Sequence, residues 1–568
     1  LAAADFDGMG GLGSRMDGRT QPQMNSAVMT GGEAIVAGLI DHGIDTVYGL
    51  PGAQVYGLFD ALHRAQPKLK VIGARHEQAC GYMAFGHARS TGRPAAFSVV
   101  PGPGVLNAGA ALLTAYGCNA PVLCVTGQVP TAFLGRGRGH LHEMPDQLAT
   151  LRTFTKWAGR IDSASMARVE VARAFQAMLS GRQGPAALEM PWDVFTRREM
   201  IADCDPLPLF PAPPADPDAL TAAARLIAAS RHPMIMVGGG AVAAAAEIRE
   251  LAEALDAPVV AFRSGRGILS NAHELGLTLA DAYELWPGTD LVIGIGSRLE
   301  LIDVRWQNRP AGQKMIRIDI DAAEMRRFPP DVGVVADASE GTQGLIDAVR
   351  RVGFRRSPGR RDEIRAARAK VAEEIQAIEP QMSYLRILRD VLPANAFVTD
   401  ELSQVGFASW YGFPVYEPRT FVSSGYQGTL GGGYPTALGV KVANPDRPVV
   451  AICGDGGFMF ALQELATAVQ FDIGVVALVF NNNAYGNVRR DQMTRFDGRV
   501  IAADLVNPDF MQIADAFGVG GARVRSPREF RPVLERALAS GGPWLIDIEV
   551  PRDSEADPWP FIHRVARS

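Results

Sequence analysis

Two short runs carry residues suited to holding a metal and a phosphate: Cys453-Gly-Asp-Gly-Gly-Phe458 and Phe480-Asn-Asn-Asn483. Asp455 and Asn482 stand 27 positions apart, separated by an amphipathic segment (461–469) and an apolar run (475–480). That order reads strand, glycine turn, helix, strand, which is one right-handed βαβ unit. Such a unit delivers the carboxyl ends of both strands to one crevice, where open α/β sheets bind ligands. Backbone N–H groups of the glycine turn and the helix start can hold phosphate oxygens there. A carboxylate and an amide oxygen at the same edge suit Mg2+, a hard cation that completes its shell with ligand phosphates. The chemistry implied is a magnesium diphosphate site.

Composition narrows the setting. The 568 residues are 47% hydrophobic and 21% charged, ordinary for a globular chain of several domains. A net charge of −5 gives no electrostatic case for nucleic acid or an anionic membrane as partner. No window reaches the ~18 uninterrupted apolar residues of a membrane span. Cys80, Cys118, Cys124, Cys204 and Cys453 are scattered and lack metal spacing, as buried thiols in a reducing compartment would be. Residues 1–26 are rich in Gly, Met, Asp and Arg without a signal peptide's apolar stretch, and are expected to be disordered or left by processing, outside the fold. A cytoplasmic soluble enzyme is the expectation.

Two breaks divide the rest: the proline-rich stretch Asp203–Pro217, and Phe354–Arg361 followed by a charged helical stretch to about Ile378. The expected organisation is α/β, with three doubly wound parallel-sheet domains at 27–200, 218–353 and 379–568, joined by linkers at 201–217 and 354–378. Runs 96–100, 122–126, 234–237, 291–295, 315–320, 449–453 and 544–550 are apolar and flanked by turn residues, as strands buried on both faces are. Gly238-Gly-Gly240 lacks the full glycine spacing of a dinucleotide fingerprint and reads as a tight strand-to-helix turn.

Gly454-Asp-Gly456, followed at this distance by Asn481-Asn482, resembles the thiamine diphosphate (ThDP) motif. Further landmarks occur in the family's order: Ala74-Arg-His-Glu-Gln-Ala79, Val100-Pro-Gly-Pro-Gly104 and Thr126-Gly-Gln-Val-Pro130. The resemblance covers about residues 26–560 and is nearest to the acetolactate synthase-like branch of ThDP-dependent decarboxylases and carboligases. It implies a first domain that holds the pyrimidine, a last that holds the diphosphate, and sites shared between subunits of a homodimer or homotetramer. Glu77 would meet the pyrimidine as the acid that activates the cofactor. Asp455, Asn482 and the Ala484 carbonyl would hold Mg2+, and Gly454, Gly456, Gly457, Ser403 and Gln404 would surround the diphosphate. Gly428 and Leu430 would meet the aminopyrimidine, Leu430 as the wedge that bends the cofactor. Gln128 and His142 are the further catalytic candidates, His142 as a proton carrier at neutral pH.

Departures from the synthases fall where substrate should sit. After Gly486 the family's usual tryptophan is replaced by Asp491, the usual Phe-Gln-Glu reads Leu141-His-Glu143, and its Ser-Gly-Pro-Gly reads Pro101-Gly-Pro-Gly104. Arg489 and Arg490 are candidates to hold a substrate carboxylate. FAD is a possible further cofactor, but its signature is weak, with Leu279-Ala-Asp-Ala282 at the expected place. The implied reaction is ThDP- and Mg2+-dependent decarboxylation of a 2-oxo acid, ending in protonation or carboligation. Rival readings are C–C cleavage of a diketone, an acyl-CoA lyase with ADP or CoA on the middle domain, and a non-catalytic regulatory partner of the same fold. Replacement of Glu77 by Gln is expected to leave ThDP binding intact and remove most turnover; unchanged turnover would strip Glu77 of its role.

Overall fold

The computed structural model describes residues 26–563, apart from Gln307; of the stretch 1–26 expected to lie outside the fold, residues 1–25 fall outside these and Ser26 begins a strand. Three six-stranded sheets, each wholly parallel, follow one another along the chain. In spatial order the first runs Lys70–Gly73, Thr46–Gly49, Ala95–Val99, Val122–Gln128, Ala186–Pro191 and Trp157–Arg160. The middle sheet spans the strands from Pro233–Val237 to Val332–Val335, and the last those from Phe397–Asp400 to Trp544–Glu549. The chain order of each sheet reverses beside its first strand, and such a switch point opens a crevice at the strands' carboxyl ends. Helices connect the strands, so the architecture is α/β with three doubly wound sheets. Among the described residues no helix is long and apolar enough to cross a membrane.

Alternation along the strands explains how the last sheet is held. Val450, Ile452, Val476, Leu478 and Phe480 point to a core continuous with the middle domain. Val449, Ala451, Cys453, Val475, Ala477 and Val479 point the other way, into a core shared with the first domain. The two faces of one sheet therefore join all three domains.

The first and last domains meet through two helices, α1 (Glu77–Thr91) and α2 (Gly433–Ala443). His76 caps α1, its Nδ1 accepting the Gln78 N–H at 3.1 Å, and Gly92 at φ 74° ends it. The helices cross almost backbone to backbone. A Cβ on Gly86 would lie 2.1 Å from the Thr436 carbonyl oxygen, and one on Gly439 would lie 1.9 Å from that of Met83.

Some boundaries differ from the sequence expectation. Ile201 and Ala202, assigned to the linker, form a strand with Arg198 that pairs antiparallel with Ser26–Thr30, because the proline run begins only at Pro206. The helix expected at 461–469 is a single turn (Asp455–Phe458) followed by a second helix (Glu464–Gln470), with turns between them. The charged stretch after Gly359 forms the helix Arg360–Glu374.

Because nothing at the crossing can yield except backbone, Gly439→Ala is expected to cost about 1–3 kcal/mol. Calorimetric melting should show a clear drop, whereas Gly542→Ala, with no atom within 4 Å of its Cβ, should leave the melt unmoved.

Candidate functional site

The strands Val449–Gly454 and Val476–Asn481 are neighbours, so their ends bring Asp455 and Asn482 to one edge. Asp455 is buried and accepts Asn507 Nδ2–H at 2.7 Å, with backbone N–H groups of Gly456, Ala484 and Asn483 also facing it. Burial pushes its carboxyl up, against those donors. Ala484 N–H also meets Asn482 Oδ1 at 3.0 Å, so one short loop carries two of the three oxygen donors expected for the metal, beside the turn that carries Asp455. Asn483 turns that loop in the left-handed region at φ 53°.

The structure explains the glycines of the motif. A Cβ on Gly456 would strike Tyr485 at 2.5 Å, one on Gly457 would come within 2.4 Å of Glu401 Oε2, and one on Gly454 would press on Ser403 at 3.2 Å. Ser403 caps the helix Gln404–Gly412 through its Oγ, which accepts Gly406 N–H at 3.0 Å. Gln404 is buried, its Oε1 accepting Arg490 Nη1–H at 2.5 Å while its Nε2 has no partner. Beyond it lies a cavity of about 260 Å3 lined by Gln404, Asn482, Ala484, Arg490, Arg552 and Glu555, among others.

Glu401 joins this edge to the loop carrying Gly428 and Leu430. Its Oε1 accepts Gly431 N–H at 2.5 Å, and burial pushes its carboxyl up to about 7. Gly428 lies at φ 57°, which favours glycine, and Leu430 is half-exposed rather than packed away. Gln78 approaches the same loop at Gly431, which brings the start of α1 to it.

Glu77 is the first residue of α1, half-exposed, and its Oε2 accepts Asn107 Nδ2–H at 3.1 Å. His142 stands apart from it, at the carboxyl edge of the first sheet. Its Nδ1 lies 2.7 Å from Gln54 Oε1, and Gln54 Nε2 donates to the Leu141 carbonyl at 2.6 Å. His142 and Gln54 are both left-handed, at φ 63° and 69°, and the Gly102 turn lies against the His142 carbonyl.

Two sets of expected site residues have protein partners in the structure. Gln128 Oε1 accepts Val129 N–H at 2.8 Å and its Nε2 donates to Glu189 at 3.2 Å. Glu189 is a fully buried carboxylate, and its need for donors claims Gln128, Gln147 and Arg160 together. Arg489 and Arg490 are likewise engaged, Arg489 by Asp504 and Asp553, and Arg490 by Gln404 and the Glu555 carbonyl. Sequence reading missed Gln54, Glu189, Glu401, Asn507 and Glu555, each a buried or linking polar group with no local pattern.

In the middle domain the crevice at Gly238, Gly239 and Gly296 holds two adjoining cavities of about 110 and 220 Å3. Arg263 fills its inner wall, paired with Glu300 and placed 4.5 and 4.8 Å from the ring centroids of Phe262 and Trp410.

A glycine turn backed by Glu401, a carboxylate with two amide-type oxygens, and an unpartnered N–H at a sheet edge define a diphosphate-binding α/β enzyme. Comparison with known proteins agrees. Models of the thiamine pyrophosphate (another name for ThDP) enzyme family match in order: the N-terminal TPP binding domain at 29–150, the central domain at 220–345, and the C-terminal TPP binding domain at 402–548. Over 538 residues the chain is 33% identical to the probable 2-ketoarginine decarboxylase AruI of Pseudomonas aeruginosa, covering 92% of this chain and 94% of that protein. It is 31% identical to the acetolactate synthase of Arthrospira platensis, covering 93% and 96% of the two chains. It is 30% identical to the acetolactate synthase isozyme 1 large subunit of Escherichia coli, covering 94% and 96%. The chain belongs to the ThDP-dependent decarboxylase and carboligase family, in its acetolactate synthase-like branch.

A methyl on Gly457 must displace Glu401 and with it the hold on Gly431. Gly457→Ala is therefore expected to weaken ThDP binding at least about tenfold, or ~1.4 kcal/mol, as read by titration calorimetry.

Proposed function

We propose that the protein decarboxylates a 2-oxo acid with ThDP and Mg2+, the product being protonated or joined to a second carbonyl. The observation that carries this reading is the convergence of Asp455, Asn482 and Ala484 at one sheet edge beside the unpartnered Gln404 Nε2. The residues fit the absent groups. A divalent cation would offset the burial that pushes the Asp455 carboxyl up. No group of three His, Cys, Asp or Glu side chains among the described residues offers a metal site, and Mg2+ is commonly held with one carboxylate plus phosphate oxygens. When bound, ThDP supplies the electron sink that makes loss of CO2 feasible.

The chain's own residues would do the rest. Glu77, held by Asn107, would exchange a proton with the pyrimidine, and Leu430 would support the cofactor's bend. Gln54 fixes the histidine tautomer: its Nε2 is committed to Leu141, so its Oε1 takes the His142 Nδ1–H. That leaves His142 Nε2 as the ring's acceptor, free to carry a proton to or from substrate. Leu106, Leu113 and Tyr116 form an exposed apolar face on the helix Pro103–Gly117, and this supports assembly as a homodimer or homotetramer. The 2-oxo acid class is supported by the activity for which the 2-ketoarginine decarboxylase relative is named.

Apo-protein supplied with ThDP and Mg2+ is expected to release CO2 from at least one member of a 2-oxo acid panel that includes a guanidino-bearing acid. Mass spectrometry of the product would separate aldehyde from acyloin. Saturable ThDP binding with no CO2 from any acid would overturn the reading.

A further inference from the structure

Residues 550–563 cross the outside of the last domain and touch almost every element around the proposed metal and diphosphate edge. Val550 N–H bonds the Asn481 carbonyl at 2.9 Å, and Ala556 is tied to Glu379 and Gln381 at 3.0 and 2.7 Å. Trp559 Nε1 donates to Asn487 Oδ1 at 2.7 Å, and its ring lies 5.0 Å from that of Phe407. Ile562 is fully buried, and His563 stacks on Tyr283 of the middle domain at 3.5 Å. In the middle of this strap, Glu555 is buried and its Oε2 accepts Asn482 Nδ2–H at 2.7 Å, while its backbone carbonyl accepts Arg490 Nη2–H at 2.8 Å.

A primary carboxamide is nearly the same shape either way round, so its orientation is set by what its two ends meet. A carboxylate only accepts when ionised, and a guanidinium only donates. Glu555 therefore claims the NH2 end of Asn482 and leaves Oδ1 toward the Asp455 and Ala484 side. Arg490 claims the oxygen of Gln404 and leaves its NH2 end unpartnered. One amide then presents oxygen, as a cation requires, and the other presents N–H, as a phosphate requires.

We propose that the 550–563 strap is a positioning element for the metal and diphosphate site. In it, the Glu555 carboxylate orients the Asn482 carboxamide, while the strap's backbone, at the Glu555 carbonyl, holds Arg490 and through it the Gln404 carboxamide. This rests on the assignment of Asn482 and Gln404 made above. In this role Glu555 is a positioning residue, acting through Asn482. Outer partners of metal ligands typically contribute about 10–100-fold to metal affinity.

The test uses the full chain, stripped of metal, with saturating ThDP and Mn2+ as an electron paramagnetic probe. Glu555→Met keeps the side chain's bulk and removes the acceptor, as Glu555→Ala does without the bulk; each is expected to lose about 10–100-fold in Mn2+ affinity. Glu555→Gln keeps an acceptor oxygen and is expected to bind Mn2+ as the parent does. In an Asn482→Ala background the Glu555→Met change should cost no further affinity, because its target is gone. Parent-like Mn2+ binding by a folded Met or Ala variant, or fully additive losses in the double variant, would overturn the proposal. Failure of the parent itself to bind Mn2+ with ThDP would instead overturn the site assignment.

Discussion

Everything in this chain is hung from the crossing of α1 and α2, where glycines let two helices touch through their backbones. That contact fixes the start of α1, where Gln78 faces the loop that carries Gly428 and Leu430. The core beneath it is continuous through one face of the last sheet, and the opposite face carries the core shared with the middle domain. Positions at the rim are consequently set by packing far from the rim. Backbone contact is well suited to this, because side chains hop between rotamers while two apposed carbonyls and Cα atoms have no alternative arrangement.

The rim is organised by buried acids. Glu189 holds the turn around Gly102 through Gln147, Glu401 lies between two glycine loops, and Glu555 holds the loop that begins at Asn482. Each is costly to bury and is matched with donors from segments distant in sequence. Such groups turn several flexible loops into one surface. They also explain why the site needs so few charged side chains of its own: the glycine turn contributes backbone, and its alignment comes from behind.

Much of the fold was legible before any coordinates. Apolar runs flanked by turns gave the parallel strands because two-sided burial leaves a continuous hydrophobic signature, and the Asp455 to Asn482 spacing gave the βαβ unit. Polar partners left no such trace. Gln54 and His142 are 88 positions apart, Asn482 and Glu555 73, and Gln128 and Glu189 61. A residue type alone does not say whether an amide faces a ligand or a buried acid, and for Gln128 it faces the acid. The linker edges shifted for the same reason: Ile201 and Ala202 are strand only because Ala27 and Ser26 lie beside them.

The strap has one more consequence, in how the protein would report its own state. Whatever binds the assembled edge and not the opened one stabilises the assembled form in proportion to its concentration. If the strap positions the site as proposed, occupancy of the edge and closure of residues 550–563 would be two faces of a single equilibrium. Arg552 lies on this segment, three positions from Glu555, with its guanidinium on the Asn483 carbonyl at 2.8 Å. The amide protons tied down on either side of it, Val550 N–H on the Asn481 carbonyl and Ala556 N–H on the Glu379 carbonyl, would exchange with solvent only while the strap is open, so their exchange rate would measure how full the site is.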